Sequence, residues 1–335
     1  MLKENKKQFT HLKVHSQYSI CEGAIKIENL KDYCKKNKIK AIGLSDTQNL
    51  CGALEFSENI SKAGTQPIIG TQINFKYKNY VNLLPVIANT FSGYKSIINL
   101  SSKSYIENNS NEIPHCNFED LFKIEEGITL LSGSINGLIG DLFRKNLIQD
   151  IDEIFNSINK KFKNRFYLEI QRHKDIGEDI YERFLLEKSK KFDLPLLASH
   201  EAFYFEKELH EAHDALICIG EKTYVNEKDR KKYSNQHYLK SSSEMEELFS
   251  DLPEALENNF NFPYLCNFKP KSSLPILPNI KTSDNLEVDD ELKKLALEGL
   301  NKKFKEFVFI KEKEKENQKN LEKYKQKKNR KNLLR

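Results

Sequence analysis

The fold of this chain can be predicted from residues 10–19, which read Thr-His-Leu-Lys-Val-His-Ser-Gln-Tyr-Ser. This pattern is typical of a β-strand that runs into a turn. Side chains alternate between the two faces of a strand, so we expect the two histidines and the lysine on one face, and Leu12 and Val14 on the other. Two histidines and a lysine at the end of a strand favour a polar pocket. Taken alone, the stretch also fits a half-exposed strand with incidental histidines.

Strand-like apolar runs alternate with helix-like patterns along most of the chain. Five polar residues follow such runs: His15, Asp46, Gln72, His173 and Glu201. The alternation predicts a parallel α/β fold. A barrel fits better than an open sheet, because the carboxyl ends of all its strands meet at one rim, where sites are built. No glycine-rich phosphate loop of the dinucleotide or P-loop type is present in the sequence.

Composition narrows the class of protein. The 335 residues are 38% hydrophobic and 31% charged, which is typical of a soluble domain with a sizeable core. No apolar run reaches membrane-spanning length, and no apolar segment follows the basic start, so we expect no membrane contact and a cytoplasmic protein. The six cysteines are scattered without a Cys-x-x-Cys pair, which makes disulfides and a zinc site unexpected.

The positive charge of the chain is concentrated near its end. Residues 301–335 carry 14 lysines and arginines against 5 acidic residues, while the whole chain has a net charge of +5. The rest of the chain is therefore mildly acidic. Any electrostatic attraction to nucleic acid would come from the last segment.

Three motifs resemble those of the PHP (polymerase and histidinol phosphatase) family. Residues 11–16, His-Leu-Lys-Val-His-Ser, with Tyr18, Ser19 and Gly23, resemble the first motif. Residues 44–52, Leu-Ser-Asp-Thr-Gln-Asn-Leu-Cys-Gly, resemble the second, and residues 67–70, Pro-Ile-Ile-Gly, are similar to the third. The resemblance is to the version that opens bacterial replicative DNA polymerase III α subunits, and it continues to roughly residue 300.

The resemblance implies an α/β fold, a distorted (β/α)7-type barrel followed by a short helical extension. We accordingly expect a barrel domain at residues 1–266 and a linker at 267–286. The helical start of a polymerase core should follow at 287–310, and a lysine-rich, solvated tail at 311–335. The chain would then be truncated before the polymerase palm.

Active members of the family bind a cluster of divalent metal ions through ligands at the strand ends, and a metal-activated water attacks a phosphoester. The resemblance maps remnant ligand positions onto His15, Asp46 and His173, with Glu201 standing for an aspartate. Five further positions have lost their ligands: Lys13, Thr47 and Phe203 replace histidines, Gln72 replaces a glutamate, and Ser134 replaces a cysteine.

Two carboxylates cannot neutralise several divalent ions, and an ammonium among them adds repulsion. We therefore expect no metal and no catalytic residue in this pocket. Our hypothesis is that Lys13 replaces the lost metal as a cation between Asp46 and Glu201. His15 and His173 then become hydrogen-bonded interior histidines, and the remaining histidines from residue 200 onward are interpreted as surface or packing residues.

The function implied by the resemblance is that of the PHP portion of a DNA polymerase III α subunit, which is a DNA-directed DNA polymerase and hence a nucleotidyltransferase of DNA replication. The Mg²⁺ of that enzyme belongs to the absent palm, so no cofactor is expected in this chain. The expected role is structural: to support the palm and thumb and to dock a separate proofreading 3′–5′ exonuclease of the polymerase III holoenzyme. DNA would be bound through the full-length enzyme.

Two alternatives remain open at this point. The first is a stand-alone metal-dependent phosphoesterase, or a PHP 3′–5′ exonuclease, which would need Zn²⁺ or Mn²⁺. The second is a nucleic-acid-binding module that acts through the lysine-rich tail in a salt-dependent way.

Overall fold

The computed structural model describes residues 7–124, 126–278, 282, 287–308, 313–316, 318–320, 322–323 and 325–326. The chain forms two compact units, Met1–Ser272 and Ser273–Arg335. The strands in the described residues are β1 Lys13–Val14, β2 Ala41–Thr47, β3 Gln66–Tyr77, β4 Tyr80–Ala88, β5 Cys116–Asn117, β6 Ile128–Leu131, β7 Phe166–Ile170, β8 Leu196–Ala198 and β9 Glu201–Ala202. The α-helices are α1 Ile27–Asn37, α2 Ala53–Lys62, α3 Phe91–Ile106, α4 Leu138–Arg144, α5 Ile148–Phe162, α6 Glu178–Phe192, α7 His210–Glu221, α8 Ser242–Leu248, α9 Pro253–Asn261 and α10 Val288–Lys303.

The strands of the first unit form one curled sheet in the order β8-β7-β6-β4-β3-β2-β1-β9, with β5 paired to β3. Strands β8 and β9 are the two ends of this order, yet only two residues separate them along the chain. Since β8 pairs with β7 and β9 pairs with β1, residues 196–202 close the sheet as one continuous segment. Helices alternate with the strands along the chain. The predicted α/β barrel is therefore confirmed.

One strand departs from the predicted parallel arrangement. Strand β4 runs antiparallel to both β3 and β6. A short turn through Lys78, whose φ is +54°, joins β3 to β4, and a connection this short can only join antiparallel strands. The hairpin also extends β3 as far as Tyr77, so Gln72 lies inside β3 opposite Pro85 and not at a strand end, as the sequence pattern suggested.

Side-chain alternation divides each strand between the helices outside the barrel and the barrel interior. In β2, Ile42 and Leu44 pack in the outer cluster with α1 and α2, whereas Ala41 lies in an interior cluster. That interior apolar layer consists of Leu12, Ala41, Ile68, Ile87, Leu131, Leu197, Phe262 and Cys266. The polar residues of the strands lie further along, towards the carboxyl ends.

Amphipathic patterns explain how the outer helices pack on the sheet. In α5 the buried side chains recur every three or four residues, at Ile151, Ile154, Phe155, Ile158 and Phe162. This spacing puts one apolar stripe against the strands, and burial of that stripe stabilises the helix. Every helix in the described residues is too short or too polar to cross a lipid bilayer.

The first residues of the predicted linker, 267–286, are hydrogen-bonded to the barrel. The amide of Asn267 donates to the carbonyl oxygen of Asn89 at 2.9 Å, and Ser57 Oγ donates to that of Pro270 at 2.8 Å. These residues are therefore packed on the barrel, and the first compact unit extends to Ser272.

In the second unit, α10 lies within the stretch 287–310 that was predicted to be helical. A π-helical turn, Phe304–Val308, follows it. Much of the predicted tail, 311–335, lies outside the described residues, and its described positions are helical and exposed.

Candidate functional site

Lys13 is at the centre of the candidate site, with a fully buried side chain. It lies on β1, in register with Glu201 of the neighbouring β9. Its Nζ atom is 3.4 Å from Glu201 Oε2 and 3.3 Å from Oε1 of Glu169, a buried residue of β7. The lysine is thus a buried cation between two carboxylates inside the barrel.

The charges of these three residues depend on one another. Burial by itself would lower the pKa of the Lys13 ammonium, but the charges of Glu169 and Glu201 outweigh this effect and raise the pKa above its ordinary value. Burial would raise the pKa of Glu201, and the charges of Lys13 and His15 instead hold it well below its usual range. Lys13 and Glu201 are therefore both charged at neutral pH.

Asp46 is not the second partner of Lys13, so the hypothesis of a Lys13–Asp46 pair is wrong. Asp46 Oδ1 accepts hydrogen bonds from the Ser16 amide at 2.7 Å and from Ser19 Oγ at 2.8 Å, and Oδ2 accepts one from Ser16 Oγ at 2.8 Å. The cause is strand alternation: Thr47 lines the barrel cavity, so Asp46 points to the opposite face. Burial raises the pKa of Asp46, against the opposing effect of His15 and these hydrogen bonds. Asp46 therefore orders the turn after β1.

The predicted alternation along residues 10–19 holds only where the chain is paired as a strand. Lys13 and His15 both point into the barrel, and Val14 packs in the outer cluster. Leu12, however, lies in the interior apolar layer. Because pairing of β1 begins only at Lys13, His11 precedes the strand, and strand alternation does not fix its direction. Its ring packs edge-on against that of His200.

His15 has protein partners at both ring nitrogens. Its Nε2 is 2.8 Å from Glu201 Oε1, and its Nδ1 is 3.1 Å from Ser19 Oγ. Gln72 Nε2 donates to the same Glu201 Oε1. The amide of Gln72 thus contacts Glu201 at a position to which the resemblance assigns an acidic ligand.

His173 is held in the same way. The amide of Glu201 donates to His173 Nε2 at 3.1 Å, so this nitrogen is an acceptor and the proton of the neutral ring is on Nδ1. That Nδ1–H donates to Glu178 Oε1 at 3.2 Å. Burial keeps the pKa of His173 well below its ordinary value. Neither nitrogen of the neutral ring offers a free lone pair.

The remaining substituted positions fill the space with protein contacts. Phe203 stacks on the ring of His15, with centroids 4.4 Å apart. Thr47 Oγ1 donates to Glu22, whose Oε1 also accepts a hydrogen bond from Tyr233 at 2.8 Å. Ser134 Oγ accepts one from the Asn136 amide at 3.2 Å. Thr47, Glu22 and Tyr233 are thus joined by hydrogen bonds, whereas Ser134 bonds within its own loop and Phe203 contacts His15 by stacking.

A cavity of about 370 Å³ opens over this network. Thr47, Gln72, Ser134 and Glu201 all line it, so the structure brings these sequence-predicted positions together. Lys13 and Phe203 lie below the surface of the cavity, with exposed fractions of 0% and 1%.

Several residues of the site were missed by sequence reasoning. Glu169 lies in the otherwise apolar run Phe166–Ile170, and a charged residue inside a buried strand was an available signal. Glu22, Asp175 and His237 also line the cavity. Asp175 follows His173 by two residues, a spacing that could have been noticed, whereas nothing in the local sequence marks His237.

His173, Asp175 and His237 could hold a metal ion by residue type, since one ligand atom from each lies within 4.8 Å of the others. The two imidazoles, however, are stacked, with centroids 4.0 Å apart and planes 4° from parallel. A nitrogen lone pair lies in the plane of its ring, and a bound ion sits about 2 Å from it, so two parallel rings cannot both ligate one ion. As arranged, this group does not fit a bound metal.

The donor set of the whole site leads to the same conclusion. His15, Asp46 and His173 use their ligand atoms in hydrogen bonds within the protein. Lys13 adds a positive charge where the family places a histidine ligand, and an ammonium has no lone pair to donate. The residues present therefore do not fit the metal cluster that the resemblance implies.

Comparison with known proteins places these observations in a family. Residues 11–173 match the PHP domain. The chain is 35% identical over 295 residues to the DNA polymerase III subunit alpha of Rickettsia bellii, and 36% identical over 312 residues to that of Borreliella burgdorferi. These matches cover 88% and 89% of this chain, but 25% and 27% of the relatives. The chain thus spans about a quarter of the length of these curated relatives.

Among solved structures, an amidohydrolase from Chromobacterium violaceum is 7% identical, with a TM-score of 0.37, over 58% of this chain and 87% of that one. This likeness is too weak to support any conclusion. The similarity to the α subunits, by contrast, covers more of the chain than the first compact unit contains, so it extends into the second unit. The chain contains a PHP domain at residues 11–173, and over 88% of its length it is similar to a bacterial DNA polymerase III α subunit.

Proposed function

We propose that this chain is the PHP-domain portion of a replicative DNA polymerase III α subunit in the bacterial cytoplasm, where it acts as a structural and docking domain and not as a hydrolase. The homology to α subunits over 88% of the chain supports the placement in the polymerase. Polymerisation itself, with its Mg²⁺, would belong to the rest of the α subunit. DNA would be bound through that larger enzyme.

The observation that carries the proposal is the buried position of Lys13 between Glu169 and Glu201. Lys13 supplies inside the barrel the positive charge that a metal would otherwise supply. Two buried carboxylates without a nearby cation would be destabilising, and Lys13 relieves this. A site whose buried carboxylates share a cation supplied by the protein can stay rigid without bound ions, which suits a domain that supports others.

The proposed partner is a separate proofreading 3′–5′ exonuclease of the polymerase III holoenzyme. A PHP domain that does not remove mismatched nucleotides itself would need such an activity beside it. Binding between the purified chain and an exonuclease subunit from the same bacterium tests this by analytical ultracentrifugation. A complex at micromolar concentrations is expected, and separate sedimentation of the two proteins would contradict the docking role.

Metal analysis tests the proposal that the pocket binds no metal and hydrolyses no DNA. After incubation with Zn²⁺ or Mn²⁺ and removal of unbound ions, we expect less than one ion per chain and no release of nucleotides from a DNA 3′ end. Asp46→Asn and His173→Asn are the matched controls, since a contaminating nuclease would act equally in all three preparations. Two or more ions per chain, with hydrolysis abolished in both variants, would overturn the proposal.

The alternative function is a metal-dependent phosphoesterase or 3′–5′ exonuclease, and one observation favours it: the proximity of His173, Asp175 and His237. Activity would require the stacked rings of His173 and His237 to separate so that both face one ion. The same metal analysis distinguishes the two functions. Loss of bound metal in a His237→Asn variant would assign the ion to this group.

A further inference from the structure

The barrel wall opens between β6 and β7 near the candidate site. Backbone pairing of these strands ends at Leu131 and Tyr167. Beyond that point the amide of Glu169 donates to the side chain of Ser132, at 2.9 Å from Oγ. The side chains of Glu169 and of Tyr181, on α6, line one small cavity.

This cavity has a volume of about 10 Å³. A site of that size admits one water molecule and nothing larger. Glu169, Gln171 and Tyr181 are among the residues that line it, with exposed fractions of 1%, 5% and 3%. Each of them has one buried polar atom without a hydrogen-bond partner among the described residues: Glu169 Oε2, Gln171 Oε1 and Tyr181 Oη.

We propose that one structural water molecule binds in this cavity and joins Glu169, Gln171 and Tyr181. Water can donate one hydrogen to Glu169 Oε2 and the other to Gln171 Oε1, and it can accept the hydroxyl hydrogen of Tyr181. Buried waters commonly make about three such bonds to groups that are otherwise unsatisfied. A cation of similar size would fit less well, because the Tyr181 hydroxyl can then no longer donate into the site.

The water has a definite role in the site: it fixes the carboxylate of Glu169. Glu169 Oε1 accepts a hydrogen bond from Gln171 Nε2 at 2.6 Å and lies 3.3 Å from Lys13 Nζ. With Oε2 bonded to the water, both oxygens of Glu169 are held, and so is the counter-charge of Lys13. This inference rests on the proposed role of Lys13 as the internal cation, and it names what positions one of its two partners.

A crystal structure of the unaltered chain tests the inference directly. We expect a water within hydrogen-bonding distance of Glu169 Oε2, Gln171 Oε1 and Tyr181 Oη. A dry site, with Tyr181 Oη bonded directly to Glu169 or to the side chain of Ser132, would overturn the water and leave the proposed function intact. A metal ion between the strand ends, identified by anomalous scattering, would instead overturn the proposed function.

A conservative substitution gives an independent measurement. Tyr181→Phe removes one of the three bonds to the water, and we expect the unfolding temperature to fall by about 2–4 °C. Tyr94→Phe is the matched control, because its hydroxyl lies away from the cavity, and it should change the temperature by less than about 1 °C. Equal effects of the two substitutions would contradict a water-bonded Tyr181.

Discussion

The barrel interior and helix α10 both depart from the usual distribution of side chains, in opposite directions. Inside the barrel, Lys13 and Glu169 are charged residues with exposed fractions of 0% and 1%. In α10, Leu292 and Leu295 are apolar residues with exposed fractions of 65% and 56%. Charged residues are seldom fully buried unless they are paired, and exposed apolar stripes commonly mark contact surfaces.

The two regions differ in whether their unusual side chains have partners within this chain. The carboxylates nearest to Lys13 pair with it, and Glu201 gains further hydrogen bonds from its neighbours. The leucines of α10 are exposed. The charged residues of the barrel interior thus have partners within the barrel, whereas α10 presents an apolar face.

The largest expected effect tests the first half of this comparison. Lys13→Met leaves Glu169 and Glu201 buried without their shared cation, so we expect the free energy of unfolding to fall by about 3–5 kcal/mol. Urea denaturation measures it. Lys190→Met, on the exposed side of α6, is the matched control and should stay within about 0.5 kcal/mol of the unaltered protein.

A double substitution separates the charge from the loss of packing. If uncompensated charge is the cause, Lys13→Met combined with Glu201→Gln should recover part of the stability that Lys13→Met alone loses. Simple addition of the two losses would show that Lys13 acts through packing and not as a counter-ion.

Substitution of Asp46 is expected to have the next largest effect on the free energy of unfolding. Asp46→Asn replaces an acceptor of three hydrogen bonds from Ser16 and Ser19 by an amide that can repel the Ser16 N–H, and we expect a loss of about 2 kcal/mol. The exposed Asp32 on α1 offers the control Asp32→Asn, for which little change is expected. An Asp46→Asn variant as stable as the unaltered chain would show that the turn after β1 does not depend on this carboxylate.

The positions of these charged residues show what sequence reasoning could and could not provide. The resemblance placed Lys13 and Glu201 among the ligand positions of one barrel rim, and the hypothesis that the lysine lies near this carboxylate rested on that placement, not on a predicted register. The second partner was assigned to Asp46 by its place in a motif, and strand alternation turns that side chain to the other face. Glu169 could be found only by asking which strand faces Lys13 across the barrel, which depends on closure through residues 196–202.

The hairpin of β3 and β4 was missed for a different reason. The sequence pattern places Gln72 directly after an apolar run, which favours a short strand of a parallel barrel. The strand continues to Tyr77 because a turn at Lys78 pairs it with β4, and neither Asn-Gly nor Asp-Gly marks that turn. Local turn chemistry was too weak a signal there, and tertiary pairing decided the length of the strand.

A further effect, on pH dependence, concerns the neutral histidines of the interior. Burial lowers the pKa of His11 to about 4, while its Nε2–H donates to the carbonyl oxygen of Lys240 at 2.8 Å. Between pH 6.5 and 4 the unfolded chain therefore binds a proton at this position that the folded chain does not. Stability should fall on acidification through that range, by about 1.4 kcal/mol per pH unit from His11 alone.

The variant His11→Gln isolates this contribution, because glutamine can still donate to Lys240 but cannot be protonated. From pH 7.5 to 6 and 5, the free energy of unfolding should decline less steeply for the variant than for the unaltered protein. Above pH 7 the free energies of the two proteins should change with pH in the same way. Identical slopes at low pH would show that His11 is not a source of the acid sensitivity.

The smallest expected effect tests the second half of the comparison. Leu292→Gln and Leu295→Gln replace side chains that are already exposed, so each should change the free energy of unfolding by less than about 0.5 kcal/mol. Leu185→Ala in α6 is the contrast: that leucine is buried, and its truncation should cost about 2–5 kcal/mol. Losses of that size at Leu292 would mean that α10 is already covered within this chain. With small losses, the leucines matter only to binding, and the same two substitutions should then weaken association with the remainder of a polymerase α subunit, whose helical core is expected to begin within residues 287–310.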